Sequence, residues 1–236
     1  MRIYCVNFLI LSFPLFSLQA FGQMGDNEGE LQPDLPEHIF NMESPVLTPS
    51  EAISSFQLPD GFRIELVASE PLIEDPVAAT FAPDGSLWVI EMQSFMPDVD
   101  GNNEDEPISR VVTLRDQDGD GLMDKSTVFL DNLILPRAIA MSHEGILLIA
   151  PPNLLYCRDI SGDGVCDDIQ LLTDGFGGLD SIEHAGNGML YGIDNVFHNS
   201  QHEYSFKFDG EVLESIKVPS HGQWGISQDD FGRHYY

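Results

Sequence analysis

Val111–Asp124 reads VVTLRDQDGDGLMD, and Leu154–Asp167 reads LLYCRDISGDGVCD. The two stretches lie 43 residues apart and match in order: an apolar run, Arg-Asp, Asp/Ser-Gly-Asp-Gly and a closing Asp. The match continues outward, with Val128-Phe129 on Leu171-Leu172 and Asp131 on Asp174. A hairpin signal precedes each copy. Ala78–Phe81 and Ser86–Ile90 flank Pro83-Asp84-Gly85; Ala138–Met141 and Ile146–Ile149 flank His143-Glu144-Gly145. Turn residues between short apolar runs give antiparallel hairpins. Looser copies stand around Ile193–Phe197 and at Ile226–Tyr235, the latter about Asp229–Gly232. A period of about 40–50 residues with four strands in each is the pattern of a β-propeller. Each blade is a small sheet that buries its faces only against its neighbours. The expectation is therefore an all-β chain, a β-propeller of four-stranded blades. About four blades are expected, an incomplete propeller whose last hairpin is cut at Tyr236.

The flanks read differently. Thr48 as N-cap, Pro49 at N1 and Glu51 at N3 make a capping box, so a short helix is expected before the Pro59-Asp60-Gly61 turn. Phe62–Ala68 alternates as a strand. Residues 1–22 read as a secretory signal: Arg2, an apolar stretch from Val6 to Leu18, and the small-residue site Ala20-Phe21-Gly22. An uncleaved membrane anchor is the alternative. Residues 23–49 form an acidic linker and residues 50–236 the propeller domain. The protein is thus expected to be exported to the periplasm, cell envelope or extracellular space. Its formal charge is −29, from 39 acidic and 10 basic residues. Such a field repels nucleic acid, which is excluded as a partner, and favours divalent cations. Cys157 and Cys166 flank the second loop, and export permits a disulfide between them; two reduced or packed cysteines fit the sequence equally. No C-x-x-C-H occurs, so no c-type haem is attached within the chain.

The two loops carry the clearest chemistry. Asp116, Asp118, Asp120 and Asp124 take positions 1, 3, 5 and 9 of an EF-hand-like loop, with Gly121 at 6 and the Leu122 carbonyl at 7. Calcium takes 6–8 oxygens, and alternate acids in a tight turn converge on one ion. Thr127 replaces the bidentate Glu of a full EF-hand, so water or a distant acid must finish the shell. The second loop offers Asp159, Ser161, Asp163, the Val165 carbonyl and Asp167, one carboxylate fewer. The other reading is two acidic turns without an ion. Because the loops join outer strands, their expected role is structural.

Several stretches resemble the large bacterial membrane-bound dehydrogenase propellers. They are Gly61–Pro71, Leu87–Met92, Asp118–Lys125 and Gly222–Arg233, and the resemblance covers roughly Ser50 to Tyr236. That family is similar to soluble sugar dehydrogenases that use pyrroloquinoline quinone. Many members continue into a cytochrome c domain, so a cytochrome c electron acceptor is implied. The resemblance implies that His184, ahead of the Gly186–Phe197 hairpin, is the base taking a hydroxyl proton from a sugar or alcohol substrate while hydride passes to the quinone. The glycine spacing departs from that family, and Asn195 stands where its turn glycine would be. Arg137 and Arg233 are the cations expected to meet the quinone's carboxylates, and Glu91, at the end of an inner strand, is expected to face a central cavity. His198, His202 and His221 form no metal-spaced motif. Two other functions fit the same sequence. One is a non-catalytic, calcium-stabilised propeller binding a glycan or a protein. The other is a calcium-dependent hydrolase of the lactonase type, which needs its ion in the central channel.

Overall fold

The computed structural model describes residues 45–236 apart from Val99. The expected leader and most of the linker, residues 1–44, lie outside the described residues. Helix α1, Pro49–Ser55, begins where the capping chemistry puts it. The Thr48 N–H donates to the Glu51 carboxylate (2.8 Å), and Glu51 N–H donates back to the Thr48 hydroxyl (3.4 Å). No described helix is long and apolar enough to cross a membrane.

Three four-stranded antiparallel sheets follow, each in chain order. The first blade is β1 (Pro76–Phe81), β2 (Leu87–Glu91), β3 (Ser109–Arg115) and β4 (Lys125–Leu133). The second is β5 (Ala138–Ser142), β6 (Gly145–Ala150), β7 (Asn153–Arg158) and β8 (Asp168–Thr173). The third is β9 (Asn187–Tyr191), β10 (Phe197–Ser200), β11 (Tyr204–Phe208) and β12 (Leu213–Lys217). A pair, β13 (Ser227–Gln228) and β14 (His234–Tyr235), begins a fourth. The first strands β1, β5 and β9 pack side by side, so the blades stack as in a β-propeller.

Strand β6 shows why these sequences fold this way. Ile146, Leu148 and Ala150 enter a core with Ile90, Val111 and Phe129 of the first blade. Leu147 and Ile149 point the other way, into a core with Phe197, Phe206 and Phe208 of the third. Successive side chains face opposite sides of a strand, so a strand covered on both faces needs an unbroken apolar run. Each such side chain contributes about 1.5–3 kcal/mol on full burial. Trp88 closes the first seam edge-on to Phe129, with centroids 4.5 Å apart. The β5–β6 turn requires Gly145, where a Cβ would collide with the Cys157 carbonyl.

Two elements differ from expectation. Phe62–Ala68 is not a strand, because no described neighbour offers a ladder for its backbone groups. It still does part of a strand's work. The Val67 carbonyl accepts the Met123 N–H (2.8 Å) at the first loop, just as the Phe129 carbonyl of β4 accepts the Cys166 N–H (2.7 Å) at the second. Ala68 and Leu72 pack on Val89, Val112 and Leu114, covering the open face of the first blade. The third blade contains β11 and β12, which the loop motif did not signal. Their turn is short: Asp209 accepts the N–H groups of Glu211 (3.0 Å) and Val212 (2.7 Å) where the other blades have nine-residue loops.

Candidate functional site

The two Asp loops sit between the third and fourth strands of their blades, at the periphery. Each is wound around its first Asp. The Asp116 carboxylate accepts the N–H groups of Gly119 (2.6 Å) and Gly121 (2.8 Å). Asp159 accepts those of Gly162 (2.6 Å) and Gly164 (2.7 Å). These amides hold both carboxyls below the usual Asp range, the second glycine of each loop, Gly121 and Gly164, contributing most. The four glycines take positive φ, from 79° to 94°, which lets the chain turn back on the carboxylate. Asp120 and Asp163 each cap the next residue but one, Leu122 and Val165. Asp124 grips Gln117 through its amide N–H (3.0 Å) and Nε2 (2.7 Å); Asp167 grips the Ile160 and Ser161 amides (2.8 and 3.0 Å). The second and third loop acids then turn the first loop into a cluster. One oxygen each from Asp116, Asp118 and Asp120 lie within 4.8 Å of one another. Two ligands on opposite sides of a calcium ion, about 2.4 Å from it, are about 4.8 Å apart, so the three oxygens fit one coordination shell. Among the described residues no other three metal-binding side chains meet this way, and the second loop, with Ser161, does not.

The opposite face carries the β2–β3 connection and the links between blades. A cavity of about 560 Å³ opens there. Met92 and Phe95 of the first blade wall it, with Ile182 and Glu183 ahead of the third and Gln223, Trp224 and Tyr236 from the fourth. It thus draws on blades that are not sequence neighbours, as a propeller's centre does. A cleft of similar volume, beside Asp174 and His202, is built only from the second and third blades.

Arg137 lies next to this cavity and is 1% exposed. Its Nη1 donates to the Ile182 carbonyl and its Nε to the Leu135 carbonyl (3.3 Å), while Nη2 has no partner. Burial brings its pKa down to about 10, so it stays cationic at neutral pH. Ile182 belongs to a short 3₁₀ helix, Leu179–His184, which ends in the exposed His184. Through Ile182 this segment ties Arg137 to the cavity wall, but neither Arg137 nor His184 is among the residues that line the cavity. Nor are the other two expected cavity residues. Glu91 is 0% exposed, and its carboxylate is committed to the Arg110 guanidinium and the Glu74 N–H (2.9 Å). Arg233 lies on the β13–β14 hairpin, bonded to Asp229 (2.6 Å) and stacked over Phe231. Cys157 and Cys166 both carry free thiols.

Sequence reasoning missed Asn187. Its buried side chain donates to the carbonyls of Ala185 (3.0 Å) and Gln223 (2.8 Å) and accepts the Gly225 N–H (2.8 Å). It fixes the Gln223–Gly225 stretch that puts Trp224 in the cavity wall. A polar residue opening an inner strand was the available signal.

Fold and sites together define a β-propeller with peripheral acidic loops and a central cavity. The chain belongs to the family described as "Domain of unknown function (DUF7133)", whose model matches residues 48–236. No curated protein matches. Among solved structures it is similar to regucalcin, a calcium-binding protein of Agrobacterium tumefaciens, at 14% identity and TM-score 0.43, over 64% of this chain and 48% of that one. A gluconolactonase of Xanthomonas campestris is 15% identical, TM-score 0.48, over 72% and 56%. The PQQ domain of pyranose dehydrogenase from Coprinopsis cinerea is 13% identical, TM-score 0.49, over 75% and 46%. This chain spans about half the length of each of these structures.

Proposed function

We propose that this chain is the propeller module of an exported, quinoprotein-like dehydrogenase that oxidises a sugar or other alcohol. Its two peripheral loops hold structural calcium. The carrying observation is Arg137: a buried cation with one guanidinium nitrogen unpartnered, bonded to the carbonyl of Ile182, two residues before His184, in the wall of a cavity with three aromatic side chains. Pyrroloquinoline quinone is a flat ring system with carboxylates, and it suits those features. Arg137 Nη2 is buried without a partner behind the Ile182 wall, where a carboxylate oxygen reaches it once that wall shifts, and Phe95, Trp224 and Tyr236 line the cavity as aromatic neighbours for a planar ring. The quinone, when bound, supplies the hydride acceptor. The residues of the chain do the rest. Arg137 orients the anion, the aromatic wall excludes water, and His184 takes the substrate hydroxyl proton, a task suited to an imidazole. A cytochrome c receives the electrons, and export places the protein in the periplasm, the cell envelope or the medium.

The test is to add pyrroloquinoline quinone and calcium to the protein and follow dye reduction over a panel of sugars. Arg137→Met is expected to weaken quinone binding about tenfold or more, the loss of one charge-assisted hydrogen bond. His184→Ala should leave quinone binding unchanged and slow turnover about a hundredfold or more. No quinone binding at all rules the proposal out. One observation favours a second reading, a calcium-dependent lactonase-like hydrolase: Glu183 and Gln223, a carboxylate and an amide, are among the residues lining the same cavity. That reading needs its ion there and not in the loops.

A further inference from the structure

The second loop begins and ends beside a pair of cysteines. Cys157 lies on β7 and is 0% exposed; Cys166 is the eighth residue of the loop and half-buried. Both belong to the core between the first and second blades, Cys166 packing against the cluster that holds Cys157. The Cys166 thiol also donates to the Asp168 carbonyl (3.5 Å). Its backbone N–H donates to Phe129 of β4, so Cys166 joins the two blades.

The repeat supplies the comparison. Forty-three residues earlier, the same two positions are Leu114 and Met123, buried together in one cluster. Packing alone is therefore met by two apolar side chains. In the second blade both change to cysteine, in the one loop that also exchanges a carboxylate, Asp118, for Ser161. The loop with less capacity to be held by an ion has what a covalent bond needs.

We infer that Cys157 and Cys166 are a redox-modifiable pair, joined by a disulfide-bearing oxidant into a bond that locks the second loop onto β7 and fixes the seam between the first two blades. The half-exposed Cys166 reacts first. Its thiolate displaces one sulfur of the oxidant, which leaves as a thiol and carries the proton. Cys157 then displaces the other sulfur from the mixed disulfide. Two thiols and one disulfide become one disulfide and two thiols, so two electrons and two protons pass to the oxidant. Cys157 is fully buried and Cys166 only half-exposed, so the oxidant reaches the pair only when the loop opens. Once formed, a bond closing so short a loop makes loop opening about tenfold to a hundredfold rarer. The inference stands apart from the proposed function, since it needs neither a quinone nor calcium.

The test uses the full chain, reduced with a phosphine or oxidised with glutathione disulfide. Non-reducing peptide mapping by mass spectrometry is expected to show a Cys157–Cys166 cross-link only after oxidation. Limited proteolysis within residues 160–165 should then slow at least about tenfold, and reduction should restore it. Cys157→Leu/Cys166→Met, which installs the residues of the first blade and keeps the core filled, should be cleaved at the reduced rate under both conditions. Thiols that stay alkylatable after oxidation overturn the inference. So does a cross-link between two chains, or one that leaves the cleavage rate at that of the Leu/Met variant.

Discussion

The first and second blades share a frame and differ in what holds it. Asp116 and Asp159 wind their loops through the same pairs of glycine amides, and Asp124 and Asp167 close them at the same place. Around that frame the side chains change. The ladder position held by Glu91 and Arg110 in the first blade is Ala150 and Asn153 in the second. Asp118 becomes Ser161, and Leu114 with Met123 becomes the two cysteines. The difference teaches which residues define a blade. Those facing the loop backbone are repeated, because the turn cannot form without them. Those that fasten blades or carry charge are free to vary.

The largest effect expected from this comparison is at the ladder position. Arg110→Ala leaves the Glu91 carboxylate buried without its cation, at a cost of about 3–5 kcal/mol. Asn153→Ala at the equivalent place should cost less than about 1 kcal/mol. Urea denaturation of the two variants measures both, and equal costs would break the comparison. Next comes the charge exchange. Asp118→Ser should weaken calcium at the first loop by about tenfold, and Ser161→Asp should strengthen the second by a similar factor, because affinity in such loops follows ligand charge. Calorimetric titration with calcium reads both; no change in either direction would show that the loops are acidic turns.

A smaller effect separates the seams by pH. His234 of β14 lies against His198, ring centroids 4.0 Å apart, and burial first, then His198, lowers its pKa. Its partner is held by Asp194 and the Ser205 hydroxyl. A histidine whose pKa the fold depresses contributes stability that is full above its unfolded pKa, about 6.5, and is lost as pH falls from there through the lower folded value. Asp116, Asp159 and Asp167 have depressed pKa values. Their contribution is present above about 3.9 and is lost only as pH falls further. Hydrogen exchange on acidification should therefore rise first at residues 227–235 and only later at the two loops. The reverse order would contradict the assignment of the seams.

The blades were legible because their signals are local. Pro83-Asp84-Gly85 and the Asp loops fix turns by chemistry that neighbouring residues supply, and Ile146–Ile149 declares its two covered faces in one run. The geometry of the Asp loops was legible for the same reason: their carboxylates and the amides they bind lie within nine residues. The centre was not. Glu91 is taken by Arg110, 19 residues away, and nothing in either residue announces the pair. Arg137 meets a carbonyl 45 residues on, and Asn187 reaches across to the 223–225 stretch. Such partners are set by how blades stack, which the repeat predicts in kind but not residue by residue. Phe62–Ala68 failed as a strand for a related reason: alternation marks a capacity to pair, and pairing needs a neighbour.

The proposal puts calcium and chemistry on opposite faces, calcium at the Asp loops and chemistry at the cavity walled by Phe95, Ile182 and Trp224. Crystals grown in calcium and measured for anomalous scattering test this most directly. The account predicts a strong peak among Asp116, Asp118 and Asp120, a weaker one at the Asp159 loop, and none in the cavity. A peak held by Glu183 in the cavity, with both loops empty, would contradict it.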